Sequence, residues 1–362
     1  MDGGDAVVIR DPRLAAGDPH ASLQAIVSGT DLTAIEAEAL FSRIMDGEAP
    51  PTVIAALLVG LRSKGETEQE IVGAARVMRA RATHVVSART PLIDTCGTGG
   101  DFSGSFNVST AAALVVAAAG IAVAKHGNRA ASSRCGSTDV LEALGVGADL
   151  EPALVGRSID ELGIGFLFAP RFHPAMRHAA QARREIGIRT VFNLLGPLTN
   201  PAGATRQLIG VPGPELVPRI GGVLRELGTE AALVVHGLEG LDEISVCGPT
   251  RIAIVQDGTV RERTIGPEDL GLRVFDPAEI GGGDAVANAT ILREVTEGRG
   301  SEAQRAVVAA NAGAAIWIGG GAPTILAGVE RAREVLAAGR AARLLDELVA
   351  FARRTMAPPV AS

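Results

Sequence analysis

Apolar positions recur at helical spacing through the first quarter of the chain, then give way to short continuous apolar runs broken by glycine. Thr33 and Glu36 form a capping-box pattern ahead of Ala37-Glu38-Ala39-Leu40-Phe41, and Thr67 and Glu70 repeat it ahead of Ile71-Val72-Gly73-Ala74-Ala75. Between them Pro51 opens a helix over Val53 to Arg62, which Gly65 closes. Residues 21 to about 85 therefore read as all-helical. Residues 1–20 carry Gly, Pro, Asp and Arg without periodicity and read as a loose tail.

The texture then changes. Pro91-Leu92-Ile93-Asp94, Ile121 to Lys125, Phe166-Leu167-Phe168, Gln207 to Val211 and Ala232 to His236 read as strands, with helical stretches such as Ser109 to Ala119 between them. That alternation predicts a mostly parallel sheet flanked by helices. Arg251 to Val255 and Thr259 to Arg263 read as a hairpin near one edge. From Asp284 the chain reads as helical to about Thr355, with a break at Gly319-Gly320-Gly321. His173 to Leu195 reads as helix without strand alternation and is expected to fold back onto the N-terminal helices. The expected fold class is α/β: a small all-helical domain (21–86 with 173–203) plus a large α/β domain with a mostly parallel central sheet (87–172 with 204–355).

Composition adds limits. The chain of 362 residues is 47 % hydrophobic, mostly small aliphatics, with no Tyr and one Trp, which suits packed helices and buried parallel strands. A formal charge of −7 argues against a sequence-independent nucleic-acid binder but leaves room for a local basic pocket. Cys96, Cys135 and Cys247 have no metal-ligand spacing and read as reduced thiols in a reducing cytoplasm. The acidic, glycine-rich start shows no signal-peptide pattern, and the longest apolar run, Ala111 to Ala124, contains Gly120 and is too short to span a bilayer, so no membrane association is expected.

Two glycine- and hydroxyl-rich segments stand where a strand hands over to a helix. The first runs from Asp94 through Gly97-Thr98-Gly99-Gly100-Asp101 and Ser105 to Asn107-Val108-Ser109-Thr110; the second is Lys125-His126-Gly127-Asn128-Arg129-Ala130-Ala131-Ser132-Ser133-Arg134-Cys135-Gly136-Ser137. Glycines let backbone N–H groups close on an anion, and the following helix adds the positive end of its dipole. Neither the dinucleotide fingerprint nor the P-loop spacing is present. Two such cradles point to a ligand with two phosphate groups at separate points. Alternatives stay open residue by residue. Asn107 to Thr110 also reads as a helix N-cap cluster. His126 is an acid–base candidate or a structural donor. Asp242-Glu243 is a Mg²⁺-binding pair or an exposed acidic loop. Arg183-Arg184 is a carboxylate clamp or a surface pair.

Together with Phe192-Asn193-Leu194-Leu195-Gly196-Pro197-Leu198-Thr199-Asn200-Pro201 and Gly240-Leu241-Asp242-Glu243, these segments resemble the anthranilate phosphoribosyltransferases, of the nucleoside phosphorylase/phosphoribosyltransferase type. The resemblance covers about residues 21 to 350. It implies transfer of the phosphoribosyl group of phosphoribosyl pyrophosphate to anthranilate in tryptophan biosynthesis, with Mg²⁺ as cofactor and a homodimer formed through helical domains. It implies that Gly97, Gly100, Asp101, Ser105, Asn107, Ser109, Thr110, Lys125, His126, Gly127, Asn128, Arg129, Ala130, Ala131, Ser132, Ser133 and Ser137 hold phosphoribosyl pyrophosphate. Ser109, Asp242 and Glu243 would ligate Mg²⁺; Gly97, Asn128 and Arg183 would contact anthranilate, with Arg183 on its carboxylate; His126 and Pro170 would line the aromatic's path. No general base is assigned, and Lys125, His126 and Asn128 are expected to stabilise the transition state. The rival readings are a pyrimidine nucleoside phosphorylase and a non-catalytic, nucleic-acid-binding paralogue of the same fold.

Overall fold

The computed structural model describes residues 10–101, 103–130, 134–147 and 149–356. Cα packing divides the chain into two compact units. One runs up to Arg81 and adds Ala175–Leu195; the other holds Ala82–Pro174 and Gly196 onward. The stretches 82–86, 173–174 and 196–203, expected in the helical domain, pack with the larger unit. Hydrogen bonds account for the difference: Thr83 N donates to Phe172 O at 2.8 Å and Val85 N to Pro201 O at 3.1 Å.

The helical unit begins earlier than its periodicity suggests. Helices Pro12–Ala15 and Pro19–Val27 occupy part of the expected tail. Each starts on an Asp-Pro pair: Asp11 accepts from Arg13 N, and Asp18 accepts from His20 N and Ala21 N. The carboxylate caps free N–H groups, and proline sits at the one position where its missing N–H costs nothing. These helices are too short for periodicity to reveal. Residues 1–9 of the expected tail lie outside the described residues.

Helices Ala34–Met45, Pro51–Lys64 and Glu68–Ala80 follow, and both capping boxes form. Glu70 does more than cap. Its carboxylate accepts from Thr67 N at 2.9 Å, Leu32 N at 3.0 Å and Lys64 Nζ at 3.0 Å, and the side chain is fully buried. The returning segment supplies helices Arg177–Ile186 and Val191–Leu195, and Phe192 meets Phe41 edge-on, ring centroids 5.7 Å apart.

The larger unit is built on seven strands: β1 Ile93–Thr95, β2 Val123–Gly127, β3 Ile164–Phe168, β4 Arg206–Gly210, β5 Ala231–Gly237, β6 Thr250–Gln256 and β7 Thr259–Ile265. Their order is β3-β2-β1-β4-β5-β6-β7. The first five are parallel; β6 and β7 form the expected hairpin and add antiparallel. Alternating strand residues face two apolar layers. Val123 and Phe166 join the core around helices Val108–Ala118 and Glu302–Ile318, while Ala124 and Leu167 join one with Val155, Ile159 and Phe172. Both faces are covered, as a parallel sheet requires. The chain leaves β1 outward to β2 and β3, then returns to β4 on the other side of β1. That reversal opens a crevice at the C-terminal strand ends. Among the described residues no helix is long and apolar enough to cross a membrane.

Glu70→Ala should lower the unfolding free energy by about 3 kcal/mol, because it leaves the Leu32 and Thr67 N–H groups without their acceptor and takes one buried carboxylate from Lys64, which keeps Asp31 at 2.6 Å and Gly65 O at 3.0 Å. Glu38→Ala, whose exposed partner Arg76 lies 3.7 Å away, should stay within about 0.5 kcal/mol. Urea unfolding of the two variants measures the difference; equal losses would contradict the assigned role of Glu70.

Candidate active site

Three loops meet at that crevice. The first leaves β1 through Cys96 and Gly97, with Gly100 in the left-handed region at φ +87°. Thr98 N donates to Gly210 O at 2.9 Å, which ties this loop to the end of β4. The second leaves β5 and carries Asp242 and Glu243. It rests directly on Gly210, where an added Cβ would come within 1.5 Å of Asp242 O. Asp242 N also lies 3.5 Å from Asp101 Oδ2, and the α-carbon of Gly97 faces Asp242 Oδ2. Gly97 and Asp101 thus neighbour Asp242, which is far from both in sequence.

Charge is concentrated here. Burial, and then the adjacent Asp242, hold the Glu243 carboxyl well above the usual range; Lys125 and the Ser109 N–H work against this. Lys125 is buried on β2, and its Nζ donates to Thr95 O at 2.5 Å and to Ser109 Oγ at 3.3 Å. Burial, then the neighbouring Asp94, pushes the Cys96 thiol far up, so it is no nucleophile.

The third loop continues from β2. Asp94, fully buried, accepts from His126 N at 3.1 Å and from Asn200 Nδ2 at 2.7 Å; Asn200 Nδ2 also donates to Ala124 O at 2.7 Å. His126 Nδ1 lies 2.9 Å from Gly196 O, so it carries the proton and donates. Its buried Nε2 has no partner among the described residues, and burial lowers the ring to about 4. A neutral imidazole with its proton on Nδ1 is a structural donor with a bare acceptor, not an acid. His173 packs edge-on to it, centroids 5.1 Å apart, with both ring nitrogens unpaired among the described residues.

Past Gly127, Asn128 O accepts from Thr138 N and Ser137 Oγ. Asp139 holds the loop's two ends, accepting from Ala130 N and Gly136 N at 2.9 Å each. Ala131, Ser132 and Ser133 lie outside the described residues. Arg129, expected on phosphate, is engaged by Glu142 at 2.6 Å and Asp139 at 3.2 Å. Asn107 makes no cap at the head of helix Val108–Ala118. It donates instead to Cys135 O at 3.2 Å and accepts from Asn288 Nδ2 at 2.9 Å, so it joins the two glycine-rich loops. Ser105 bridges to Gly281, and Thr110 is fully buried.

Pro170 is exposed on the short helix after β3. Arg183 belongs to the helical unit, its guanidinium 5.4 Å over the Phe192 ring. Burial lowers its basicity, and it has no ion pair among the described residues. A half-buried cation in that state is suited to an anionic ligand. Arg184 is exposed.

Comparison with known proteins fits this arrangement. Residues 89–342 match the model of the glycosyl transferase family, a/b domain, and residues 21–82 match that family's helical bundle domain. An anthranilate phosphoribosyltransferase of Rubrobacter xylanophilus is 53 % identical over 92 % of this chain and 97 % of its own. The crystal structure of the Thermus thermophilus anthranilate phosphoribosyltransferase matches with a TM-score of 0.87 and 47 % identity, over 92 % of this chain and 99 % of that one. The chain belongs to the anthranilate phosphoribosyltransferase family. A family structure from Saccharomyces cerevisiae, in complex with PRPP and Mg, matches with a TM-score of 0.83 and 25 % identity, over 94 % of this chain and 99 % of that one.

The residues present suit Mg²⁺. Asp242, Glu243 and Asp101 offer oxygen ligands only, and burial beside Asp242 disfavours the Glu243 carboxylate, which an added cation would favour. Among the described residues no three His, Cys, Asp or Glu side chains cage an ion by themselves. Mg²⁺ ordinarily takes one or two carboxylates and completes its octahedron with water and phosphate oxygens.

Several participants escape a reading of the sequence. Asn288 and Gly210 hold the loops from a distance, Asn200 lies in a quoted motif whose contact with Asp94 spacing does not show, and Asp139 closes its own loop from the helix that follows it. Gly210 alone carries a local signal, a glycine closing a strand, which often marks close backbone approach.

Asp94 supplies a test. Burial pushes its carboxyl up to about 6, against the pull of Lys125 and the hydrogen bonds it accepts. Its unfolded value is about 3.9, so the native state keeps the proton to higher pH than the unfolded chain. The carboxyl's contribution to stability is therefore fullest below about pH 4 and declines as pH rises through about 6. The unfolding free energy of wild type minus that of Asp94→Asn should fall by on the order of 2 kcal/mol between about pH 4 and 7. A difference that stays constant over this window would contradict the assignment.

Proposed function

We infer that this chain transfers the phosphoribosyl group of phosphoribosyl pyrophosphate to the amine of anthranilate, giving N-(5′-phosphoribosyl)anthranilate and pyrophosphate, a step of tryptophan biosynthesis. One observation carries the reading: two glycine-rich loops and an acid pair meet at the reversal of a parallel sheet, in a family of that activity. The phosphorylase and nucleic-acid readings have no observation in their favour.

The loops after β1 and β2 would bind the two phosphate-bearing ends of the sugar through Gly97, Gly100, Ser105, Asn107, Lys125 and the segment Gly127 to Ser137. Asp242 and Glu243, with Ser109, would hold Mg²⁺. When bound, the ion supplies positive charge to the pyrophosphate oxygens. Lys125, already fixed by Thr95 O and Ser109 Oγ, adds a preorganised cation. Anthranilate's amine attacks C1 of the ribose as the bond from C1 to the pyrophosphate oxygen breaks, pyrophosphate leaves with the bonding pair, and the nitrogen, cationic once bonded, gives up one proton to water or to the departing pyrophosphate. The aryl amine is neutral at pH 7, so orientation matters more than deprotonation. Arg183 would orient it through the carboxylate. His126 contributes as a wall and a backbone donor fixed by Asp94 and Gly196 rather than as an acid.

We also propose a homodimer formed through helical units and a cytoplasmic location. Val27 and Ile35, 73 % and 71 % exposed on the helical unit, support the first, and three free cysteines support the second.

The direct assay is loss of anthranilate fluorescence on mixing protein, phosphoribosyl pyrophosphate and Mg²⁺; unchanged fluorescence would contradict the function. Arg183→Ala should raise the anthranilate KM roughly 30-fold with a smaller change in kcat, the loss of one charge-assisted bidentate contact. An unchanged KM would remove Arg183 from the carboxylate. Asp242→Asn with Glu243→Gln should cut kcat by about 100-fold and raise the Mg²⁺ requirement; a normal metal titration would remove the pair from the site.

A further inference from the structure

Helix Glu302–Ile318 is almost wholly apolar on its buried side, and Asn311 stands among Ala309, Ala310, Ala312 and Gly313 with no exposed surface. An amide in such surroundings is tolerated only when it is fully hydrogen-bonded. Asn311 is. Its Oδ1 accepts from Ile244 N at 2.9 Å, and its Nδ2 donates to Ile244 O at 2.9 Å and to Val307 O at 2.9 Å. The side chain therefore behaves like a neighbouring strand and holds both backbone polar groups of the residue directly after Glu243.

The rest of the acid loop is fixed elsewhere. Gly237 N donates to Leu241 O at 2.8 Å before the pair, Gly210 lies under Asp242, and Ser245 N donates to Thr250 Oγ1 at 2.9 Å after it. Ile244 is buried, and its backbone N–H and C=O both bond to Asn311. Asn311 thus holds the N–H of the Glu243–Ile244 peptide and the C=O of the Ile244–Ser245 peptide, and a rotation of the first would swing the Glu243 carboxylate away from Asp242 and Ser109. No local motif signals this contact, because 67 residues separate Asn311 from Ile244.

We propose that Asn311 is a positioning residue for the acid pair, fixing the Ile244 peptide groups so that Asp242 and Glu243 present their oxygens together to Mg²⁺. The inference rests on the reading of that pair as the Mg²⁺ ligands.

The test compares Asn311→Ala and Asn311→Asp with Val335→Ala, a buried cavity variant on helix Ile325–Ala337. Asn311→Ser takes the place of either Asn311 variant that fails to fold. Two quantities are read: hydrogen exchange at the Ile244 amide without metal, and calorimetric titration of Mg²⁺ into protein with pyrophosphate. Asn311→Ala should speed Ile244 exchange, Asn311→Asp should speed it less because its carboxylate can still accept from Ile244 N–H, and both should raise half-saturating Mg²⁺ about tenfold, as loss of outer-shell partners of metal ligands does. Val335→Ala should lower Tm and change neither. Suppose the double variant Asp242→Asn with Glu243→Gln loses Mg²⁺ binding while the Asn311 variants titrate like wild type: the positioning role falls and the ligand reading stands. A double variant that titrates normally overturns the ligand reading, and the positioning role with it.

Discussion

Carboxylate charge crowded at the C-terminal edge of a parallel sheet, with the buried ammonium of Lys125 beside it, is the constraint on which this molecule turns. Asp101, Asp242 and Glu243 converge there because the ends of β1, β4 and β5 lie side by side. Repulsion within the pair is costly in the protein alone. A divalent cation placed beside the pair would relieve it. Lys125 pulls against the repulsion, but burial and the adjacent Asp242 outweigh it at Glu243. An unfavourable arrangement of like charge in the free protein would thus be a preorganised one for a cation.

Rigid support makes that arrangement possible. Gly210 lets the acid loop lie on the end of β4, and Asp139 closes the second loop by holding both of its ends. Asn107 spans the two loops rather than capping its own helix. The elements that carry these residues are buried on both faces, so the site is built from strand ends and helix starts whose positions the core determines.

What is legible in the sequence is what is local. The capping boxes at Thr33 and Thr67 and the strands around Ile93, Val123 and Leu208 depend on spacing within a few residues. So do the glycine-rich turns, whose motifs also carry the family resemblance. What stays hidden is long-range. Asn200 reaches Asp94 across 106 positions and Asn288 reaches Asn107 across 181, and neither pairing leaves a periodic trace. The short helices after Asp11 and Asp18 escape for the opposite reason, being too brief for any period to show. Arg129 has the right chemistry for phosphate, but its ion pairs with Glu142 and Asp139 depend on a helix whose placement no spacing rule fixes.

A crystal soaked with phosphoribosyl pyrophosphate and Mg²⁺ interrogates the account most directly. It should show pyrophosphate against the loop after β1 and a metal ion bridging its oxygens to Asp242 and Glu243, with the sugar's other phosphate on the loop after β2. Clear density for the ligand elsewhere, with the acid pair bare of metal, would contradict it.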